Sequence, residues 1–350
     1  MRVLVLGGTG AIGAHVVRRL SDDGYKVVVT SRTARKGEDN ITYRKGNARE
    51  IGFAKELFRE RWDAVVDFMV YTTAEFEERV GLILSSTKQY LFLSSARVFA
   101  NSDTPITENS DRLLDTITDI EFLSVKEYSL EKARQENILR ENGANWTIIR
   151  PYITYDAYRL QLGIMEKEDW LYRALNGRSI VVSKEVLSHL TTLTYGNDVA
   201  EGIVSLVGKE GAYAQSFNIT CNRCLLWREA LEKYAEVLSR VLGKPVKVVE
   251  TDCDLGIRYG AKYQLVYDRF YDRVFDNANI VRYMPDKQFV TWEKGLENSL
   301  LKFVESPKFR AINWAMEARK DRIAKEFTPL GEIRGLRNKV KYLICRFTNR

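Results

Sequence analysis

Short apolar runs alternate with amphipathic stretches through the first 150 residues of the chain. Runs rich in Val, Ile, Leu and Phe stand at residues 2–6, 26–30, 41–45, 64–68, 89–94 and 146–150. They lack an apolar–polar alternation, as expected of strands buried on both faces of a parallel sheet. Between them, residues 11–21, 49–60, 74–87 and 123–142 place apolar side chains at helical spacing. This strand–helix alternation predicts an α/β fold, a doubly wound parallel sheet with helices on both faces. Beyond residue 151 the regularity breaks. An apolar run and helix over 190–207, a strand at 216–220 and helices at 226–242 and 292–304 are expected there. The expected division is residues 1–155 with returning segments near 190–220, a smaller interleaved domain over 156–305, and a tail over 306–350.

The turn after the first strand reads Gly7-Gly8-Thr9-Gly10-Ala11-Ile12-Gly13 and opens the first helix. Glycines let the chain turn tightly and let a pyrophosphate approach the backbone. The helix N-terminus supplies unpaired N–H groups and a positive dipole end. In this context the triplet Gly7, Gly10 and Gly13 predicts a Rossmann-type dinucleotide site that includes Thr9, Ala11 and Ile12. The second strand ends in Ser31-Arg32. An acid there would accept hydrogen bonds from the adenosine ribose and favour NAD; a hydroxyl beside a guanidinium suits a 2′-phosphate. NADP is therefore preferred, with NAD the alternative. Asn47, after the third strand, is placed to meet the adenine amino group.

Two further motifs carry chemistry. Tyr128-Ser129-Leu130-Glu131-Lys132 is a YxxxK whose ends share one helix face. An ammonium beside a phenol favours the phenolate, which makes Tyr128 a candidate acid/base with Lys132 as its partner. Tyr283-Met284-Pro285-Asp286-Lys287 has the same spacing, but its proline argues against a helix. Ser95 ends the fifth strand, at the carboxyl edge where such sheets bind ligands, and its hydroxyl is placed to bond a substrate oxygen. It would otherwise serve as a strand-end cap.

Composition adds three points. No apolar stretch reaches the length of a membrane span and Met1-Arg2 leads straight into a strand, so a cytoplasmic protein is expected. The cysteines, Cys221, Cys224, Cys253 and Cys345, fit a reducing compartment. Cys221 and Cys224 form a CxxC, but zinc needs two more ligands and the only histidines are His15 and His189, so no metal is expected. The net charge of +7 is concentrated: residues 306–350 hold twelve Lys/Arg against four Asp/Glu, which leaves the remainder near −1. The body therefore gives no reason to expect nucleic acid. Residues 334–350 carry six basic and no acidic side chains, with Ile333, Leu336, Val340, Leu343, Ile344 and Phe347 at about helical spacing. Such a segment suits an anionic membrane surface, or else docks on the body or a second subunit.

With the glycine turn, Ser95 and the YxxxK in this order, residues 1–305 resemble the extended short-chain dehydrogenase/reductases, the NAD-dependent epimerase/dehydratase family. The resemblance implies a nucleotide-sugar enzyme with a small C-terminal substrate domain, a homodimer, and hydride chemistry with Tyr128 as acid/base. It implies that Lys132 holds the nicotinamide ribose, Ser95 the sugar oxygen, and Arg269 or Arg273 the substrate pyrophosphate. Two departures stand out. Ala96 and Arg97 replace the acids that dehydratases resemble one another in, which disfavours dehydration. Asp67-Phe68-Met69-Val70-Tyr71 is bulkier than the family's small residues near the nicotinamide. An epimerase and a 4-ketoreductase are equally expected. The rival is a non-catalytic dinucleotide sensor or RNA-binding relative on the same fold.

Overall fold

The computed structural model describes residues 1–252 and 261–348; Cys253 and Arg350 fall outside the described residues. Two compact units are built from interleaved segments. The first comprises residues 1–154, 192–224 and 274–290, and the second comprises residues 155–191, 225–273 and 291–350.

The first unit is a seven-stranded parallel sheet. In chain order its elements are β1 (Arg2–Leu6), α1 (Ala11–Asp22), β2 (Lys26–Ser31), β3 (Ile41–Lys45), α2 (Ile51–Leu57), β4 (Trp62–Asp67), α3 (Thr73–Ser86), β5 (Thr87–Leu93), α4 (Tyr128–Glu141), β6 (Trp146–Pro151), α5 (Gly196–Leu206) and β7 (Gln215–Ile219). The strand order is β7-β6-β5-β4-β1-β2-β3, which reverses direction beside β1. Alternation along β1 divides the core. Val3 and Val5 join Val16, Val17, Leu20, Val199 and Ile203 on one face. Leu4 and Leu6 join Phe76, Val80, Ile83 and Leu139 on the other. Both faces of the central strands are dry, which is why their sequences show no polar alternation. The edge strand β3 buries only Ile41.

One element departs from expectation. The amphipathic stretch 123–142 is not one helix: a short turn over Ile120–Ser124 ends and α4 begins afresh at Tyr128. The backbone is extended at Val125 and Glu127, and the Glu127 carboxylate accepts the Ser129 N–H at 2.5 Å, capping α4. Tyr128 is thus the first residue of a helix rather than an interior one.

In the second unit, α6 (Trp227–Leu242) packs on α7 (Trp292–Glu305), followed by α8 (Trp314–Ala324) and α9 (Leu336–Phe347). Trp314, Ala318, Ile333, Tyr342 and Cys345 form the core between α8 and α9. The buried Arg173 guanidinium fixes this segment, with Glu317 at 3.0 Å, Asp321 at 2.8 Å and Glu326 at 2.9 Å. Among the described residues no helix is long and apolar enough to cross a membrane.

Candidate active site

The glycine turn sits where β1 meets α1, at the carboxyl edge of the sheet beside the reversal of strand order, the position where such sheets bind ligands. Gly7 has φ +70°, and its N–H donates to Thr30 Oγ1 at 3.1 Å, which ties the turn to β2. Gly8, absent from the expected set, has a packing role. A Cβ there would lie 2.8 Å from Val5 and 2.9 Å from Val17 and Val29. A Cβ on Gly13 would lie 2.8 Å from the Gly8 Cα, so strand and helix approach closely only because both are glycines. Gly10 is the N-cap of α1, with no side-chain cap and no acid in the first turn. Thr9 and Gly10 are exposed, and Ala11 and Ile12 half-buried. The first-turn N–H groups thus have no side-chain acceptor, the condition an anion requires.

At the end of β2, Ser31 is buried and its Oγ accepts the Thr33 N–H at 3.3 Å. Arg32 is exposed, as are Arg35 and Lys36 in the following loop. Lys45 pairs with Ser31 across the β2–β3 register. Four basic residues therefore lie close to Ser31 in the chain or in strand register. Asn47 is partly committed to a local turn: its Oδ1 accepts the Arg49 N–H and its amide donates to Glu50, both at 3.2 Å. Its oxygen keeps a second lone pair.

Lys132 lies one turn into α4, where the helix covers β5. Its side chain is buried, and Nζ donates to the Leu93 carbonyl at 2.8 Å and to the Met69 carbonyl at 3.4 Å. Burial lowers its pKa to about 8, against the opposing charges of Asp67 and Glu136. Tyr128 lies a turn above it, half-buried, with the Arg97 guanidinium 5.4 Å from the centre of its ring. The positive end of the α4 dipole falls at the residue that carries the phenol.

Asp67, Arg97 and the backbone of Met69 were not in the expected set. Asp67 ends β4, fully buried; it accepts the Met69 N–H at 2.8 Å and the Tyr90 hydroxyl at 2.9 Å. Burial pushes its pKa up despite those donors and Lys132. Met69 thus joins the two halves of the site. Its N–H is held by Asp67, its carbonyl by Lys132, and its sulfur would lie 3.1 Å from a Cβ on Gly7. Arg97, which stands where dehydratases carry an acid, pairs with Glu127 at 2.6 Å beside Tyr128. The sequence signal for Asp67 was its place at a strand's carboxyl end; for Arg97 it was the departure from the dehydratase acid two residues after Ser95.

Ser95 does act as a cap. Its Oγ accepts the Arg97 N–H at 3.2 Å at the head of a short turn. With the oxygen held as acceptor, its proton remains to be donated elsewhere. Ser94 is structural, donating to Glu136 at 2.6 Å. Burial opposes charge on Glu136, yet Arg150 and Ser94 hold its pKa below the ordinary value.

Arg269 and Arg273 lie in the second unit and are buried. Both pair with Asp268, Arg273 at 3.1 Å, and each also donates to a backbone carbonyl, that of Gly163 or Tyr267, at 3.0 Å. The glycine turn, Ser31, Asn47, Ser95, Tyr128 and Lys132 all belong to the first unit. Cys221 is buried and Cys224 exposed, and among the described residues no cluster of His, Cys, Asp or Glu is arranged to hold a metal.

The NAD dependent epimerase/dehydratase family profile matches residues 3–220. The chain belongs to that family. The chloroplast stem-loop binding protein of 41 kDa b from Arabidopsis thaliana is 28% identical over 236 residues, 63% of this chain and 58% of the relative, so the match spans little more than half of that protein. The 2′-dehydrokanamycin reductase of Streptomyces kanamyceticus is 24% identical over 256 residues, covering 71% of this chain and 69% of that one. The fold is shared with the epimerase Mth375 of Methanothermobacter thermautotrophicus, at TM-score 0.66, 16% identity and coverage of 87% and 92%. It is also shared with the UDP-glucose 4-epimerase of Bifidobacterium longum, solved with NAD+ and UDP, at TM-score 0.65, 16% identity and coverage of 88% and 99%.

Proposed function

We propose that this enzyme acts on a nucleotide-diphosphate sugar, as an epimerase or a 4-ketoreductase, with Tyr128 as the acid/base. The observation that carries the reading is the buried Lys132 ammonium one turn from Tyr128 on the same helix, anchored by the Leu93 carbonyl. The turn at Gly7, Gly10 and Gly13, the uncapped start of α1 and the basic residues near Ser31 support a dinucleotide, and Lys132, whose Nζ bonds the carbonyl of the Met69 that packs towards Gly7, would hold its nicotinamide ribose. When bound, that cofactor accepts or supplies the hydride. The protein's part is the proton. The Tyr128 oxygen takes it from the sugar hydroxyl on oxidation and returns it on reduction, while Lys132 and the α4 dipole stabilise the phenolate. Ser95 donates its remaining proton to the same sugar oxygen. On the resemblance, Arg269 or Arg273 would hold the substrate pyrophosphate.

NADP as the preferred cofactor is supported by Ser31 and Arg32, with Arg35, Lys36 and Lys45 adding charge for a 2′-phosphate. The Streptomyces relative's name as a reductase supports the branch in which the cofactor exchanges at every turnover. The UDP in the Bifidobacterium structure and the UDP-glucuronic acid in that of MoeE5 support the sugar-nucleotide class. Homodimerisation and a cytoplasmic location complete the proposal. The Arabidopsis relative's name supports a second reading, the binding of structured RNA; the retained Tyr128 and Lys132 favour catalysis over it.

The test is Tyr128→Phe assayed against a panel of nucleotide sugars. The expected result is lost turnover with dinucleotide binding kept; unchanged turnover refutes the assignment. The mass of the copurifying cofactor separates the branches, since retained NAD belongs to an epimerase and exchangeable NADPH to a reductase.

A further inference from the structure

The helix α9 is built inside out for a helix at a protein surface. Its inward face carries Tyr342 and Cys345, both buried. The Tyr342 hydroxyl donates to Asp321 at 2.6 Å and accepts the Thr328 N–H at 2.8 Å; burial and the Asp321 carboxylate push its pKa up to about 12. The Arg346 guanidinium reaches the Glu326 carbonyl at 3.1 Å. These contacts fix the helix's rotation on α8. The consequence is that Leu336, Val340, Ile344 and Phe347 point outward, 78%, 46%, 48% and 72% exposed. Their spacing of four, four and three residues places them in one stripe along the helix.

Charge flanks the stripe. Arg337 and Lys341 each follow a stripe residue by one position, about 100° round the helix, and both are exposed. Lys339 lies on the other side, where Arg346 is held by the Glu326 carbonyl, and Arg334 precedes the helix. Residues 333–348 contain no Asp or Glu. An exposed apolar stripe between rows of long basic side chains fits the boundary of an anionic bilayer. There the apolar side chains enter the acyl layer and the cations stay with the headgroups.

A second copy of the chain fits less well. A twofold pairing of α9 would set Arg337 and Lys341 against their own counterparts with no acid in the segment to offset them. The helix is also only about 18 Å long, and such a stripe falls well short of the roughly 800 Å² per partner of a stable interface.

We propose that α9 is a peripheral membrane anchor that seats the Leu336, Val340, Ile344 and Phe347 stripe in an anionic lipid surface. The inference is independent of the substrate reading, because α9 lies outside the residues matched by the family and outside the unit that holds Tyr128.

Flotation of the full-length protein with vesicles tests it. Vesicles of phosphatidylcholine with about a third phosphatidylglycerol should carry the protein upward, pure phosphatidylcholine should not, and salt near 0.5 M should weaken the capture. Val340→Glu with Ile344→Glu should abolish capture, with the circular dichroism melt unchanged because both side chains are exposed. Arg337→Gln with Lys341→Gln should lower the partition coefficient about thirtyfold, roughly fivefold for each charge lost near the surface. Equal capture by neutral vesicles overturns the proposal, as does no capture by anionic ones. A lipid-free dimer broken by Ile344→Glu, without vesicle binding, assigns the stripe to a second copy instead.

Discussion

Lys132 is the residue whose contribution to stability and to chemistry should oppose each other. Its ammonium is fully buried on two carbonyls, and its pKa falls from about 10.5 to about 8. Below about pH 8 the side chain is charged in both the folded and unfolded states, and the folded state carries the whole cost of burying it. Between about 8 and 10.5 only the unfolded state holds the proton, so this cost is relieved and stability rises with pH. A shift of this size corresponds to about 3 kcal/mol of destabilisation at neutral pH. Lys132→Met removes that cost but leaves the Leu93 carbonyl without its donor, a loss of about 1–3 kcal/mol. The variant should therefore be as stable as the wild type near pH 7, or more so. The comparison across pH is sharper, because the carbonyl penalty is constant. Between about pH 7 and 9.5 the stability difference should move by about 2 kcal/mol in favour of the wild type. Urea unfolding of both proteins at several pH values measures it, and turnover measured alongside should be lost in the variant throughout. A pH-independent difference between the two proteins would show that Lys132 does not titrate as a buried ammonium and would refute the reasoning.

Other perturbations follow from the same geometry. Gly7→Ala sets a Cβ at φ +70° and 3.1 Å from the Met69 sulfur; it should cost about 1–2 kcal/mol of stability and weaken dinucleotide binding measured by calorimetry, and wild-type affinity would remove Gly7 from the phosphate turn. Arg173→Met leaves Glu317, Asp321 and Glu326 without their shared cation; a loss of about 3–5 kcal/mol in unfolding free energy is expected, against which a neutral result would count. Ser31→Asp with Arg32→Asn should shift the NADP/NAD affinity ratio towards NAD, and an unchanged ratio would sink the 2′-phosphate role.

Local pattern was enough for the sheet and for the glycine turn between its first strand and helix. Strands such as Arg2–Leu6 are short, contiguous and dry on both faces, so composition alone marks them, and the glycines of a strand–helix turn are adjacent in the chain. The paired spacing of Tyr128 and Lys132 was legible because helical periodicity converts sequence distance into a shared face. What periodicity does not contain is where a helix starts. Only the capping of α4 by Glu127 shows that Tyr128 stands at its first turn, since apolar spacing runs through residues 123–142 without a break.

The remaining features depend on residues far apart in sequence. Asp67, Met69 and Lys132 meet because β4, β5 and α4 pack together, and no window of sequence spans them. Whether Ser95 caps a turn is undecided in sequence; the fold shows that its oxygen accepts the Arg97 N–H. Arg269 and Arg273 stand beside Asp268 and Asp272 in sequence, but that they are buried, and both paired with Asp268, is decided by tertiary packing. The basic tail shows the division most clearly. Its sequence determined an amphipathic cationic helix. Only the anchoring of Tyr342 by Asp321 set the rotation of that helix, and with it which side chains are turned to the outside.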